Sequence, residues 1–462
     1  MRSKQVDMLS GSISKALLTM TIPIMIMNVM TNMFSVIDMT VLGKFANDTA
    51  VGAVGACGML IALCNGLLIG CSAGSNIIIA RHIGEGDRIK TDEAVGTALL
   101  FALLGGLTLM IIGVSCAEIF LKWTNCPNEI LPLAVKYFRI YFMGSPIIML
   151  YTFTASILRA AGDTKRPMYF IILGGIVKII LNFYCVTVLK TTVEGVAIAT
   201  IASNLVSGGL SLITLRRMND KIHFRFRKLT IKWAELKGIL FIGIPSGLQQ
   251  AMYSLANVII TTAVNSFGPA ATTGIAIANQ FDGILYQVAC APSYATIPFV
   301  AQNIGAGNFE RAKKAVISSA IITTAFGASF GFLSAFFSKE LSMIMSHTPE
   351  VIAYSRQKMI IISSTYFICG INEIMGGTLK GMGKPIIPTI ATLVFMCLIR
   401  FVWVYGIFPL YPNLTFLYLI WPIGWILSII TLLIAYVPAM RKMEKRDCKK
   451  SPDRKKLETK PI

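Results

Sequence analysis

Residues 80–87 read ARHIGEGD, and residues 301–308 read AQNIGAGN. The two stretches share an IGxG core at an offset of 221 residues, with Gly84 and Gly86 matching Gly305 and Gly307. Similar motifs at a fixed offset are the signature of an internal repeat. The chain is therefore predicted to consist of two similar halves.

Further matches on both sides of these loops keep this spacing. IPIMIMNVM at 22–30 resembles IPSGLQQAM at 244–252, and Pro23 and Pro245 lie 222 residues apart. LRAAGDTKRP at 158–167 resembles LKGMGKPIIP at 379–388, again at an offset of 221. Apolar composition shared by the halves would not place these loops in register, so the repeat extends over most of the chain.

Apolar stretches separated by short polar breaks fill the rest of each half. The 462 residues are 55% hydrophobic and 14% charged, against about 25% charged in soluble domains. Each stretch can cross a hydrocarbon layer about 30 Å thick as a helix, which satisfies its own backbone groups. We predict an all-α integral membrane protein with twelve transmembrane helices in two parallel six-helix lobes related by pseudo-two-fold symmetry. The spans lie near 14–42, 49–79, 92–116, 130–157, 167–189, 193–215, 237–266, 271–301, 312–338, 350–378, 386–409 and 414–438.

Basic residues are distributed very unevenly between the connections. One alternate set, with both termini, holds nearly all of the Lys and Arg outside the spans, while the other set holds only Lys44, Lys122, Lys190 and Lys339. Lys and Arg collect on the cytoplasmic side of inserted helices. The net charge of +20 is thus a topology signal and indicates no nucleic-acid partner. We predict a multi-pass protein of the cytoplasmic membrane of a bacterium or archaeon, with both termini cytoplasmic.

The predicted domain organisation follows from the repeat and the charge pattern. It comprises an N-lobe at 1–215, a basic cytoplasmic linker at 216–236, a C-lobe at 237–440 and a disordered basic cytoplasmic tail at 441–462. The Cys are scattered through the apolar spans, and the three His all lie in connections. Neither pattern indicates a metal centre or an enzyme. We expect a monomer without a cofactor, in contact with the lipid bilayer and with small organic substrates.

The order and spacing of these motifs, with YPNLTFLYLIWPIGWILS at 411–428, resemble the multidrug and toxic compound extrusion (MATE) transporters of the MOP superfamily. The resemblance covers roughly residues 11–440. It implies two six-helix lobes that form a V around a central cavity. It also implies export of amphipathic, often cationic compounds in exchange for Na⁺ or H⁺.

Three acidic residues lie clearly within the predicted spans, away from the span ends: Asp38, Asp282 and Glu373. A charged side chain at the bilayer centre costs about 2.5–3.5 kcal/mol or more, so each is a candidate for coupling. By resemblance, Asp38 matches the N-lobe carboxylate of the family, and some relatives carry cation-binding acids on helices 7, 8 and 10. We predict the coupling site near one of these carboxylates, with Na⁺ near Asp38 or Glu373 as one option.

Lys178 and Asn182 occupy the helix-5 positions where, by resemblance, many relatives place an Asn and an Asp. We expect Lys178 to pair with Asp38, either as a switch or as a structural ion pair. Because an acidic ligand is missing and burial disfavours a charged carboxylate, the sequence favours H⁺ coupling, while Na⁺ coupling stays open.

Arg400 in helix 11 lies almost at the repeat equivalent of Lys178, and we expect it to pair with Glu373 or Asp282. The helix-7 acid found in some relatives is absent, and the stretch near that position is QQAMYSLAN. Its polar side chains are further candidates for the substrate cavity: Gln249, Gln250, Tyr253 and Asn257.

These features favour a secondary antiporter that exports amphipathic organic compounds by alternating access of its lobes. Neither glycine-rich loop carries the Lys-Ser/Thr of a nucleotide-binding loop. The basic side chains identified in the spans, Lys178 and Arg400, roughly balance the three acids, which favours a cationic substrate.

Four alternatives stay open. A lipid-linked precursor flippase of the same superfamily would have a strongly basic cavity. A membrane-embedded enzyme would need a nucleophile–base or metal set at helix ends, and a channel would need subunit symmetry around one pore. An uptake carrier is also consistent, because sequence does not set the direction of flux.

Overall fold

The structure, a computed structural model, describes residues 5–46, 48–124, 126–218, 222 and 229–450. These residues form eighteen α-helices and no β-strand, which confirms the all-α class. The first half contains α1 (Ile13–Phe45), α2 (Asp48–Glu85), α3 (Arg88–Ser115), α4 (Ala117–Trp123), α5 (Leu131–Met143), α6 (Ser145–Ala160), α7 (Lys165–Phe183) and α8 (Val193–Arg217). The second contains α9 (Trp233–Asn265), α10 (Pro269–Gly305), α11 (Phe309–Phe336), α12 (Ser338–Met343), α13 (Pro349–Ser363), α14 (Tyr366–Gly381), α15 (Ile386–Thr392), α16 (Ile399–Val402), α17 (Leu414–Tyr418) and α18 (Ile420–Lys450).

The membrane-spanning segments agree with the predicted twelve. Within the described residues, nine helical segments are long and apolar enough to cross a membrane, and two bent helix pairs raise this number to eleven. The twelfth is α9, which has 33 residues. Its lower apolarity comes from the stretch 249–257, whose polar side chains line a pocket or bind a neighbouring helix.

Irregular features that the sequence did not predict recur at the same place in both halves. Each half has a short helix between its third and fourth spans, α4 in the first and α12 in the second. The fourth span of each half is bent, by 50° between α5 and α6 and by 46° between α13 and α14. Gly86 and Gly307 both have φ of 74°. The repeat therefore extends to local backbone geometry.

Different side chains account for the two bends. Pro146 lies in the first turn of α6 and has no backbone N–H to continue the hydrogen-bond ladder. At the second bend the Ser364 hydroxyl donates to the Ile360 carbonyl at 2.7 Å, and the Thr365 hydroxyl donates to the Ile362 carbonyl at 2.9 Å. Such side-chain bonds to preceding carbonyls often bend helices.

One predicted segment, the C-terminal tail, is corrected by the structure. The tail was expected to be disordered from residue 441, but α18 continues to Lys450. This extension is rich in Lys, Arg and Glu, which are good helix formers, and Glu444 pairs with Lys313 at 2.6 Å. Residues 219–221 and 223–228 of the predicted linker and 451–462 of the tail lie outside the described residues.

The lobes meet at the side where α2, α6, α10 and α14 end, which carries the glycine loops and is called the basic face below. There the first glycine of each IGxG motif packs against the opposite lobe. A Cβ on Gly84 would overlap the Gln302 carbonyl oxygen, and a Cβ on Gly305 would overlap the Arg81 carbonyl oxygen. Only residues without a side chain allow this approach.

Small residues also bring α2 and α9 together in the half of the membrane nearest the basic face. A Cβ on Gly243 would lie 2.5 Å from the Cα of Cys71, and one on Gly247 would lie 2.6 Å from the Cα of Leu67. By contrast, Gly55, Gly58 and Gly283 in the other half have open space at this position. The lobes thus converge at the basic face and separate towards the opposite face.

Candidate transport site

The N-lobe contains a cavity of about 610 Å³. Its charged lining residues are Asp38 from α1, Arg159 from α6 and Lys178 from α7. This volume is within the range of small-molecule pockets, about 300–1,000 Å³. One predicted coupling carboxylate therefore lies in a pocket large enough for an organic ligand.

Both carboxylate oxygens of Asp38 are bound by side chains of α7. The Lys178 Nζ lies 2.7 Å from Asp38 Oδ2, and the Asn182 Nδ2 donates to Asp38 Oδ1 at 2.6 Å. Lys178 and Asn182 are four residues apart and therefore share one helix face. The predicted pairing of Lys178 with Asp38 is confirmed. A cation that bound this carboxylate would compete with the ammonium and the amide for its oxygens.

Replacing Asp38 with Asn is expected to abolish coupled export and to lower the free energy of unfolding by about 3–5 kcal/mol, because Lys178 would be left unpaired. The double variant Asp38→Asn with Lys178→Met removes both charges and should recover the stability. Denaturant unfolding and dye efflux measured on both variants test this prediction. Export restored along with stability would show that the pair is structural, and export still absent would support a switch.

A second pocket, of about 440 Å³, lies in the C-lobe. Asp282 of α10, Lys358 of α13 and Arg400 of α16 are its charged lining residues, and Asn32 of α1 contributes from the other lobe. Three of the polar α9 candidates, Gln250, Tyr253 and Asn257, also line it. The fourth, Gln249, donates through Nε2 to the Thr392 hydroxyl at 2.8 Å, and so binds α15.

Asp282 is paired with a residue that the sequence analysis missed. The Lys358 Nζ lies 2.8 Å from Asp282 Oδ2 and also donates to the side-chain oxygen Oδ1 of Asn279. Lys358 is only 3% exposed, although it stands within the predicted span 350–378. A lone Lys before the apolar run MIII was the available signal, since buried charges in a membrane are normally paired.

The expected pairing of Arg400 with Glu373 or Asp282 is wrong. In the described part of the chain, Arg400 Nη1 donates to Asn257 Oδ1 at 2.8 Å, and the guanidinium lies 4.9 Å from the centroid of the Trp421 ring. Lys358 occupies the position beside Asp282 instead. The repeat relation to Lys178 correctly predicted that Arg400 lies in a pocket. It could not predict the partner of Arg400, because Asp282 is not at the repeat equivalent of Asp38, the partner of Lys178.

Glu373 accepts a hydrogen bond from the Tyr253 hydroxyl at 3.0 Å. Among the described residues it has no ion-pair partner, unlike Asp38 and Asp282. Tyr253 also lines the C-lobe pocket, and so connects this carboxylate with the pocket. Of the three acids predicted for the spans, Glu373 is therefore the one that forms no ion pair with a described residue.

The family assignment rests on a match to both halves of the chain. The MatE family model matches residues 23–184 and again residues 245–405. The chain belongs to the MATE transporter family. The two matched segments begin 222 and end 221 residues apart, which is the spacing of the internal repeat. Members of this family are membrane transporters and not enzymes, so those two predictions are confirmed.

Relatives and solved structures of MATE proteins cover nearly the whole chain. The probable multidrug resistance protein YoeA of Bacillus subtilis (strain 168) is 25% identical over 83% of this chain and 84% of its own length. The FAD transporter of Shewanella oneidensis is 26% identical over 84% of this chain and 86% of its own. A multidrug resistance MATE transporter solved in an outward-facing conformation has a TM-score of 0.87 at 19% identity, covering 96% of this chain and 98% of that one. The last comparison shows that the two-lobe MATE fold is shared.

Polar contacts join the lobes of this MATE protein at the basic face. The His82 Nε2 lies 3.0 Å from Glu235 Oε2 on α9, and its Nδ1 lies 3.1 Å from Glu85 Oε2. The Gln302 amide of α10 donates to the Ala160 carbonyl of α6 at 2.7 Å. Together with the glycine contacts, these bonds close the basic face beneath both pockets.

The segment before α1 is bonded to both lobes of this MATE protein. The Val6 N–H donates to the Gly162 carbonyl at 3.0 Å. From the C-lobe, the Arg311 guanidinium donates to the carbonyls of Met8, Ser10 and Gly11 at 2.9, 2.6 and 2.8 Å. This segment therefore belongs to the closed basic face.

Proposed function

We propose that this MATE protein is a secondary antiporter that exports amphipathic organic compounds in exchange for H⁺ or Na⁺ by alternating access of its lobes. The proposal rests on the surroundings of Glu373. This residue is a carboxylate without an ion pair in the described residues, and it is joined through the Tyr253 hydroxyl to a pocket of about 440 Å³. A coupling ion that binds there would alter the wall of the substrate pocket directly.

The direction of transport is inferred from the charge asymmetry. The basic face carries the Lys- and Arg-rich connections, so we infer that it is cytoplasmic. In the state described here the lobes close at this face and the pockets lie on the side where the lobes separate. This is the state from which an exporter releases its substrate outside and takes up the coupling ion.

The organic nature of the substrate is supported by the relatives, one of which is a probable multidrug resistance protein and another an FAD transporter. The expectation of a cationic substrate rested on near balance between the charges in the spans. Arg159 and Lys358, which that balance left out, both line the pockets. Each pocket therefore has two basic side chains for one acid. This excess of one positive charge is smaller than the excess expected in the strongly basic cavity of a flippase.

Efflux of fluorescent dyes from de-energised cells tests the proposal. Cells expressing the protein are loaded with a cationic dye or an anionic dye, and an external Na⁺ pulse and an acid pulse are applied separately. Efflux after only one pulse, absent from cells with the empty vector, would establish antiport and identify the ion. No response to either pulse with either dye would contradict antiport and direct the work to lipid-linked substrates.

A further inference from the structure

Arg400 is buried in the C-lobe pocket with only part of its hydrogen-bonding capacity used. Its side chain is 2% exposed, and Nη1 is bound to Asn257. Its Nε is buried without a hydrogen-bond partner among the described residues. Guanidinium groups carry five N–H donors and cannot lose their charge in proteins. The pocket lining therefore includes a permanent cation whose hydrogen-bonding capacity is not fully used.

No carboxylate in the described part of the chain neutralises this cation by an ion pair. The pocket's own acid, Asp282, is bound to Lys358 at 2.8 Å. The three charged residues of the lining, Asp282, Lys358 and Arg400, thus leave one positive charge in excess. A buried charge without a partner is costly, and a ligand that brings a negative charge would remove this cost.

The N-lobe pocket repeats the same arrangement of charges. Its acid, Asp38, is bound to Lys178 at 2.7 Å, which leaves Arg159 as the second basic residue of the lining. Arg159 forms no ion pair with a carboxylate in the described ranges. Both pockets therefore contain one neutralised Asp–Lys pair and one arginine in excess, although the two acids are not repeat-related.

The walls around Arg400 are unusually rich in flat aromatic side chains. Trp421 stacks on the guanidinium itself at 4.9 Å. The aromatic members of the C-lobe pocket are Tyr253, Tyr286, Tyr366, Tyr418, Trp421 and Trp425. Aromatic faces bind planar rings by offset or edge-to-face packing. A ring held among them would place an acidic substituent within reach of Arg400.

We propose that the C-lobe pocket binds a planar aromatic anion, with its carboxylate or phosphate group on Arg400 and its ring among these aromatic side chains. The proposal names the substrate class of the transport function proposed above and rests on it. Charge-assisted bonds to a guanidinium are about twice as strong as neutral ones. The anion therefore gains more at this site than a neutral or cationic compound of the same shape.

The test compares three ligands that share one ring system and differ in charge. Purified wild-type protein is titrated calorimetrically with 2-naphthoate, 2-naphthamide and 2-naphthyltrimethylammonium. We expect 2-naphthoate to bind at least about tenfold more tightly than the amide, and the ammonium compound to bind most weakly. Tighter binding of the ammonium compound, equal binding of all three, or binding of none would overturn the proposal. This arm needs no variant.

Substitution of Arg400 locates the binding site. Arg400→Gln should weaken 2-naphthoate binding about tenfold or more while changing 2-naphthamide binding by less than about twofold. Arg400→Lys should retain part of the preference for 2-naphthoate, because the ammonium keeps the positive charge but lacks the paired N–H donors of the guanidinium. Arg356→Gln, on an exposed position of α13, is the matched control and should leave all three affinities unchanged. Unaltered 2-naphthoate binding by a folded Arg400→Gln variant would remove the assignment to this pocket.

The binding and efflux experiments can fail independently. Ion-driven efflux of dyes combined with a binding preference for the ammonium compound would contradict the anionic substrate class and leave antiport standing. Tight 2-naphthoate binding without any ion-driven efflux would contradict antiport and leave the anion pocket standing.

Discussion

Replacing Glu373 with Gln is expected to abolish ion-driven efflux. The amide keeps the size of the side chain and can still accept the hydrogen bond from Tyr253, but it can neither take up a proton nor neutralise a bound Na⁺. Asp38 and Asp282 cannot easily replace it, because each is already held by an ammonium at 2.7–2.8 Å. The measurement is dye efflux from proteoliposomes after an imposed pH or Na⁺ gradient, with the initial rate falling to that of protein-free vesicles.

Glu350→Gln is the matched control for this experiment. Glu350 lies in the first turn of α13 in the same lobe and is exposed. Its substitution removes one negative charge without touching a pocket, so efflux should continue at the wild-type rate. Full efflux by Glu373→Gln would show that coupling does not depend on this carboxylate and would direct attention to Asp38.

Adding a single methyl group at Gly305 is expected to stop transport almost as completely. The Cβ of Gly305→Ala would overlap the Arg81 carbonyl oxygen, and a backbone atom cannot rotate away as a side chain can. The basic face would then be unable to close. The protein should accumulate in the state that is open at this face, and net efflux should fall to background. Gly84→Ala, at the repeat-related position against Gln302, should have the same effect.

A second glycine-to-alanine change separates this steric effect from the general cost of substitution. Gly209 lies within α8, and a Cβ there would meet no atom within 4 Å. Gly209→Ala should be neutral or slightly stabilising, because Ala is favoured over Gly in a helix by about 0.5–1 kcal/mol. Wild-type efflux by Gly305→Ala would show that the lobes need not approach this closely during transport.

Most of the fold could be predicted from the sequence because the signals are long and periodic. Apolar stretches locate the spans, and the repeat of the IGxG loops relates the halves. The second bend was not predictable at this level, since Ser364 and Thr365 act through hydrogen bonds to carbonyls that apolarity does not report. The end of α18 was missed for a similar reason, because charged residues beyond the membrane still favour a helix.

The candidate site was predicted unevenly. The spacing of Lys178 and Asn182 fixes a shared helix face, so their approach to one carboxylate could be anticipated once Asp38 was chosen. The partner of Asp282 depends instead on how α10 and α13 are rotated against each other. Neither α10 nor α13 has a well-defined polar face that would indicate this rotation, and Lys358 and Arg400 were therefore distinguished only by the structure.

The segment before α1 gives the protein a built-in reporter of its state. Its bonds reach Gly162 in one lobe and Arg311 in the other. If the lobes part at this face, the segment must leave at least one of them. If Gly162 is the contact that the segment leaves, the amide of Val6 should exchange slowly with solvent deuterium while the face is closed and quickly once it opens, because exchange follows local opening. Its exchange rate would follow the conformational cycle without any attached label.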